Sequence, residues 1–349
     1  MAKKKKTDEE ENGGVTTVDY RQRLRDSISE KFKADLMKEA SFLKDDKRIV
    51  IPISPAVDRG IHGGIPEGSW VILSGPPKMG KTTLALQLAA NAQKPEYGNK
   101  TVYYLDVEGR LKEMNLESIR TLEMGNMEYI RSTQEKLLTA EEYLTIAMDI
   151  IKGHPGCVLI IDSASQLCAA KELMGDITAQ ARNDGPKLLA TFTRQMCNVV
   201  PIQKTIVVII QHMIADTSGT MGGPKTIEDG GNKIKYQVDV KLRGKSFEKW
   251  VDTESNQIGQ IAHWDVVCSA LGQPGAKIDN YIRFGYGVDE VVELVNLAAE
   301  FGIIEKKGAW YSFEKDGEEI KAQGLEKLCT LLRENPDKCE FVKTQLAAV

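Results

Sequence analysis

The chain has 349 residues and a mass of 38.7 kDa, room for two or three domains and a sizeable core. Apolar residues at 42% and charged residues at 28% exclude a wholly disordered chain, and no apolar run reaches the roughly 18 residues of a membrane helix. A net charge of −4 and a pI near 5.8 exclude a strongly basic nucleic-acid binder on bulk charge, though not a local basic or glycine-rich DNA-binding loop.

The N-terminus has lysines but no apolar h-region, which predicts a cytoplasmic protein. The 6 cysteines form no C-x-x-C pair and the 4 histidines show no metal-ligand spacing. A zinc site is not expected, and the thiols read as buried and reduced.

In chain order, residues 1–18 read as a tail. Lys3 to Lys6 are basic, Asp8 to Glu11 acidic, and Gly13-Gly14 follow. Such blocks bury no apolar surface; the tail is either solvated or a contact for nucleic acid or a partner. Residues 19–48 read as a helical subunit-docking segment. Within 19–44, Leu24, Ile28, Phe32, Leu36 and Phe42 recur with no Pro or Gly between them, an amphipathic helix or pair.

A β/α alternation fills residues 49–285. Strands are expected at Trp70–Leu73, Thr101–Leu105, Val158–Ile161 and Thr205–Ile210, and helices at Thr82–Ala92, Glu141–Lys152 and Pro186–Val200. Continuous aliphatic strands separated by helices predict an α/β fold whose mostly parallel sheet is covered on both faces. From Gln211 to Gly231 the pattern fails in a glycine-rich stretch that reads as a long loop, and Lys235–Leu242 alternates again as a strand. Residues 286–349 read as a small C-terminal domain, with Leu/Val/Ala helices around Trp310 and Tyr311.

The sharpest motif is Gly75-Pro76-Pro77-Lys78-Met79-Gly80-Lys81-Thr82-Thr83, which fits G-x-x-x-x-G-K-[ST]. Glycines let backbone N–H groups wrap a β-phosphate, and the helix that follows points its N-terminus at the same charge. Lys81 would neutralise the β/γ oxygens and the Thr82 hydroxyl would ligate Mg²⁺. Val158 to Ile161 followed by Asp162 is the Walker B arrangement, with a carboxylate at a strand end meeting the metal's hydration shell. Glu108 ends the segment Tyr103-Tyr104-Leu105-Asp106-Val107-Glu108; it is either the group that orients the attacking water or a surface charge. Gln211-His212 follow the fourth strand, as a strand-end cap or as a sensor of the γ-phosphate.

These residues, in this order, resemble the RecA family of recombinases, including the phage recombinases related to UvsX. The resemblance spans about residues 20–345. It is carried by Leu105 to Gly109, by Ile160 to Ala164, and by Gly219 to Gly223 with Gly230-Gly231-Asn232 and Lys235-Tyr236. The most specific stretch is Gly302 to Phe313, GIIEKKGAWYSF, with Asn335-Pro336 after it. The resemblance implies a RecA-type P-loop core plus an N-terminal helix and a small C-terminal α+β domain. It implies an ATP- and Mg²⁺-dependent homo-oligomer, a helical filament on single-stranded DNA that pairs with homologous duplex DNA and exchanges strands. Single-strand-binding and loader proteins would be its partners, and no membrane.

By position, the resemblance makes Glu108 the catalytic glutamate, Asp162 the Walker B carboxylate and His212 the sensor. DNA-binding loops would cover about 171–186 and 213–231, with Arg194 on the DNA backbone and Arg182 and Lys187 as further candidates. Met221 would wedge between bases, and Gly230 and Gly231 would bring backbone N–H groups to phosphates. Where bacterial members place two lysines against the neighbour's γ-phosphate, this chain has Cys268 and Ala270. A bound K⁺, Lys241 or Arg243 could supply the missing cation. The departure also suits a non-catalytic ATP-binding recombination mediator. A hexameric helicase motor shares the core but not the Trp310 domain.

Overall fold

The computed structural model describes residues 17–175, 184–215, 226–228, 234 and 237–349. The chain forms two units, Met1–Arg48 and Ile49–Val349. In the first, one helix spans Thr17–Phe32 and a short 3₁₀ turn spans Ala40–Lys44. The expected helical stretch is therefore broken. Lys33 takes a left-handed backbone (φ 54°), which ends the helix. Tyr20, Leu24, Phe32, Leu36, Phe42 and Leu43 are all exposed.

In the second unit, Val50–Ile51 (β1) pairs antiparallel with Ile65–Pro66 (β2). The large sheet takes Trp70–Gly75 (β3), Val102–Asp106 (β4), Met127–Ile130 (β5), Val158–Asp162 (β6) and Ile206–Ala215 (β7). It continues with Thr226–Glu228 (β8), Val240–Val251 (β9), Gln257–Cys268 (β10), Lys277–Arg283 (β11) and Gly287–Val288 (β12). Glu305–Lys307 (β13), Trp310–Lys315 (β14) and Glu318–Gln323 (β15) make a separate antiparallel sheet.

Among the described residues the large sheet runs β12-β11-β10-β9-β3-β7-β6-β4-β5, with β8 on the far end of β7. The pairings from β9 through β3, β7, β6 and β4 to β5 are parallel, and the β9 to β12 side is antiparallel. Strand β3 lies at the centre and is buried along its whole length. Its side chains alternate between two cores: Val71 and Leu73 enter one with Leu84 and Leu88, Trp70 and Ile72 the other with Phe192 and Leu144. That two-sided burial is why the strand reads as an unbroken apolar run.

Helix Lys81–Ala92 follows β3 and covers one face. Helix Ala140–Gly153 covers the other; it starts at a capping box in which Thr139 and Glu142 each accept the other's backbone N–H. The helix expected over 186–200 is two, Gly185–Met196 and Val199–Gln203. Pro201 sits in the first turn of the second, where its missing N–H costs nothing.

Two further expectations need correction. The stretch after Ile210 is not loop from Gln211 onward. Strand β7 continues to Ala215 and Met213–Ala215 pair with β8. The expected strand at 235–242 begins at Val240 and runs to Val251, forming with β10 a hairpin of two twelve-residue strands. Its exposed stretch Lys245–Lys249, rich in charge, hides the alternation.

Trp310 and Tyr311 lie on β14, with helices before and after the small sheet. The small sheet packs Tyr311, Phe313 and Ile320 against helices Glu290–Glu300, Leu325–Glu334 and Pro336–Ala347. The buried Asp289 accepts from Arg283 at 2.8 Å and Arg333 at 2.7 Å, and caps the first of these helices. Its charge is thus paired on two sides, which a buried carboxylate requires.

Candidate nucleotide site and DNA-facing segments

The carboxyl ends of β4 and β6, the loop that follows β3 and His212 of β7 meet at one cavity of about 470 Å³. Open parallel sheets bind ligands at this edge. Residues Pro77 to Thr83 form one wall, and Asp106, Glu108, Asp162 and His212 form another. Gly80 precedes the helix with φ 84°, and a Cβ there would lie 2.1 Å from Ile282 Cδ1. Only glycine fits both the backbone and the gap. Lys78 (φ 63°) is steadied by Gln260, whose Nε2 donates to its carbonyl at 2.8 Å.

Lys81 Nζ donates to the carbonyls of Gly75 (2.9 Å) and Pro76 (2.8 Å). Burial lowers its ammonium below the ordinary range, while Asp162 and Glu108 pull the other way. A half-desolvated cation beside a helix N-terminus is poised for an anion. Gly75 and Pro76 themselves stand behind the cavity wall; Pro77, Lys78, Met79, Gly80, Lys81, Thr82 and Thr83 line it.

Asp106 and Asp162 face each other in register at the ends of β4 and β6. Asp162 Oδ2 accepts from Thr82 Oγ1 at 2.7 Å and Tyr104 Oη at 2.6 Å. Burial raises the Asp162 carboxyl and these two bonds draw it back. Asp106 accepts from the backbone of Gly109 (2.8 Å) and Leu111 (3.0 Å) and from Tyr129 Oη (2.6 Å). It therefore fixes the loop that carries Glu108.

Glu108 Oε1 accepts from Ser163 Oγ at 2.6 Å and lies 2.5 Å from His212 Nε2. The His212 contact is the main reason its carboxyl is held at about 2, below the ordinary 4.5, although burial pushes the other way. Glu108 is thus a hydrogen-bonded cavity carboxylate rather than a free surface charge. His212 stands opposite Gly75 in register, and Ser165 Oγ accepts its backbone N–H at 2.9 Å. Gln211 points elsewhere. It is buried opposite Ser74, does not line the cavity, and its Nε2 has no partner.

A carboxylate and a hydroxyl on one oxygen-rich edge suit Mg²⁺, which keeps several waters and leans on phosphates for the rest. Among the described residues, no group of three or more His, Cys, Asp or Glu is placed so that it could by itself hold a metal ion.

Several cavity residues have no role in the sequence reading: Tyr104, which stands in the Glu108 segment, and Arg110, Asn115, Gln260, Ile282 and Phe284. Phe284 is exposed at the wall. Tyr104 alone has a local signal, since it shares a strand face with Asp106 two residues on.

Of the DNA-facing candidates, Arg194 and Lys187 are exposed on helix Gly185–Met196. Seven residues apart, they share one face. Lys187 pairs with Asp184 at 2.6 Å. Arg182, Met221, Gly230 and Gly231 lie outside the described residues, as do most of the two expected loops. Cys268 ends β10 opposite Lys241 and its Sγ donates to the carbonyls of Val238 (3.4 Å) and Asp239 (3.3 Å).

A family model described as the RecA N-terminal domain matches residues 33–289, and one described as the RecA C-terminal domain matches residues 292–348. The chain belongs to the RecA family. Protein RecA of Thermus thermophilus is 28% identical over 315 residues, 90% of this chain and 89% of that protein. Protein RecA of Oleidesulfovibrio alaskensis is 29% identical over 314 residues, covering 87% and 84%. Protein RecA of Syntrophus aciditrophicus is 29% identical over 319 residues, covering 90% and 88%. The chain is a RecA-family recombinase and DNA-dependent ATPase. The family binds ATP with Mg²⁺ and forms filaments on DNA. Among the described residues, no helix is long and apolar enough to cross a membrane.

Proposed function

We propose that this protein binds ATP·Mg²⁺ in the 470 Å³ cavity and forms helical filaments on single-stranded DNA that pair with homologous duplex and exchange strands. The observation that carries the reading is the meeting of Lys81, Thr82, Asp162, Glu108 and His212 at one cavity beside a helix N-terminus. Backbone N–H groups of 78–83 and the Lys81 ammonium would hold the β/γ-phosphates. Thr82 and Asp162 would hold Mg²⁺, which neutralises charge on the β/γ oxygens when bound.

Glu108 is the water-orienting carboxylate. Its loop is anchored through Asp106, and the 2.5 Å contact with His212 ties its freedom to the residue opposite Gly75. His212 is then the sensor: a γ-phosphate competing for its ring would loosen Glu108, and phosphate loss would restore the contact. Gln211, buried behind it, transmits rather than touches. The exposed ring of Phe284 suits stacking on a base.

Arg194, with Lys187 two turns earlier, would contact DNA phosphates, which positions the strand without reading sequence. Arg182, Met221, Gly230 and Gly231 complete the proposed DNA set. The exposed apolar residues of segment 19–48 would dock on a second copy, with 49–285 as ATPase core and 286–349 as small domain. Single-strand-binding and loader proteins, a cytoplasmic location and a K⁺ in place of the two family lysines belong to the same proposal.

The test is ATP hydrolysis by the full chain with and without single-stranded DNA, across a K⁺ series. Strong DNA stimulation is expected, and K⁺ dependence would account for Cys268 and Ala270. ATP binding without hydrolysis under every condition would favour the mediator reading instead.

A further inference from the structure

Tyr104 belongs to no phosphate motif, yet its hydroxyl touches Asp162 at 2.6 Å, closer than Thr82 at 2.7 Å. Both donate to the same oxygen, Oδ2. Two O–H donors occupy the lone pairs of that oxygen and fix the carboxylate plane, leaving Oδ1 as the acceptor for anything in the cavity. The tyrosine is itself immobile. It is 1% exposed, sits on β4 between β5 and β6, and its ring lies 6.3 Å from that of Tyr129. Because β4 and β6 are in register, Tyr104 lies opposite Ile160, two residues before the facing pair Asp106 and Asp162.

We infer that Tyr104 is a positioning residue for the nucleotide's metal: its hydroxyl sets the orientation of Asp162 toward the hydration shell of a divalent cation. This rests on the ATP·Mg²⁺ reading of the cavity. Partners of metal-facing ligands orient them, and their loss weakens the metal about 10- to 100-fold. Tyr129 provides an internal contrast. Its hydroxyl makes the same 2.6 Å bond to the neighbouring Asp106, whose other partners are backbone N–H groups of the 109–111 loop.

The experiment measures affinity of the full chain for a fluorescent ADP analogue as Mg²⁺ is titrated, and again in EDTA. Tyr104→Phe should raise the Mg²⁺ midpoint about tenfold and leave the EDTA affinity unchanged. Tyr104→Met, which removes the hydroxyl with a different side chain, should give the same rise, so the test survives if one variant fails to fold. Tyr129→Phe should leave the midpoint where it is. A Tyr104→Phe midpoint equal to wild type, or an equal loss of affinity with and without Mg²⁺, would overturn the positioning role. A wild-type chain whose nucleotide affinity ignores Mg²⁺ would overturn the metal reading and this inference with it.

Discussion

Glu108→Gln separates chemistry from binding and from stability. The substitution keeps the shape, and an amide oxygen can still accept from Ser163 and His212. It removes the charge and the capacity to take a proton. Loss of a positioned base slows turnover by about 10²–10⁴, or about 3–5 kcal/mol of barrier. The folded state loses less. Holding the carboxyl at about 2 rather than 4.5 corresponds to a ceiling of about 3 kcal/mol. Solvent reaching the open cavity reduces this to about 1–2 kcal/mol. A domain of ordinary stability, about 5–15 kcal/mol, survives that loss, so the variant can be assayed.

Four measurements follow for this variant. Phosphate release with single-stranded DNA should fall by at least about 100-fold. Affinity for a fluorescent ATP analogue should hold, and filaments should live longer. In urea unfolding, wild type should exceed the variant at neutral pH. Because the native state holds the carboxyl below its ordinary range, that excess is complete above pH 4.5 and fades as pH falls toward 2. Wild-type turnover would remove Glu108 from the water-orienting role, and a stability difference that ignores pH would refute the charged contact with His212.

Lys81→Ala should abolish nucleotide-stabilised filaments, because the β/γ charge loses its cation; filaments that persist equally with ATP would reject the assignment. Arg194→Ala should weaken single-strand binding at every sequence and lower the slope of log affinity against log salt by about one charge; an unchanged slope would reject a phosphate contact. Asp58 lies far from this chemistry, and burial pushes its carboxyl up to about 8. Its cost to the fold therefore appears as pH rises from 4 to 8. Asp58→Asn keeps an oxygen for the Ile53 N–H, now at 2.8 Å, and should be more stable than wild type by about 2 kcal/mol or more at pH 8.5. Parallel pH profiles of the two in thermal melts would contradict that burial.

The phosphate loop and the Walker B strand are legible in the sequence because each is one unbroken stretch whose chemistry is local. Gly75 to Thr83 carry the glycines of a turn and the start of a helix within nine residues, and four aliphatics before Asp162 read as a buried strand once paired with that loop. Glu108 is ambiguous there for the opposite reason. Nothing within 105–109 says that Ser163 and His212, 55 and 104 residues away, hold it. Asp106 leaves no signal although it anchors the loop, since its loop partners are backbone N–H groups, which carry no residue identity.

The antiparallel half of the sheet is least legible, and it is what joins the nucleotide cavity to the small domain. On β10, Gln260 reaches Lys78 in the phosphate loop while its neighbour Ile261 packs with the Trp250 cluster of the small domain. Both faces of the strand are engaged at Gln260 and Ile261, and the alternation of buried Ala262, Trp264 and Val266 with His263 and Asp265 begins only after them. The same strand ends at Cys268, one of the two positions where the resemblance would place the family's lysines. That position therefore ends the element that reaches Lys78 from one face and the small domain's core from the other. A K⁺ bound near the end of β10 would act on turnover through that strand, whereas a mediator would keep the strand's packing and lose only the charge. Gln260 and Ile261 pack the same way in both cases, so the K⁺ series separates them by the charge that Cys268 and Ala270 do not supply.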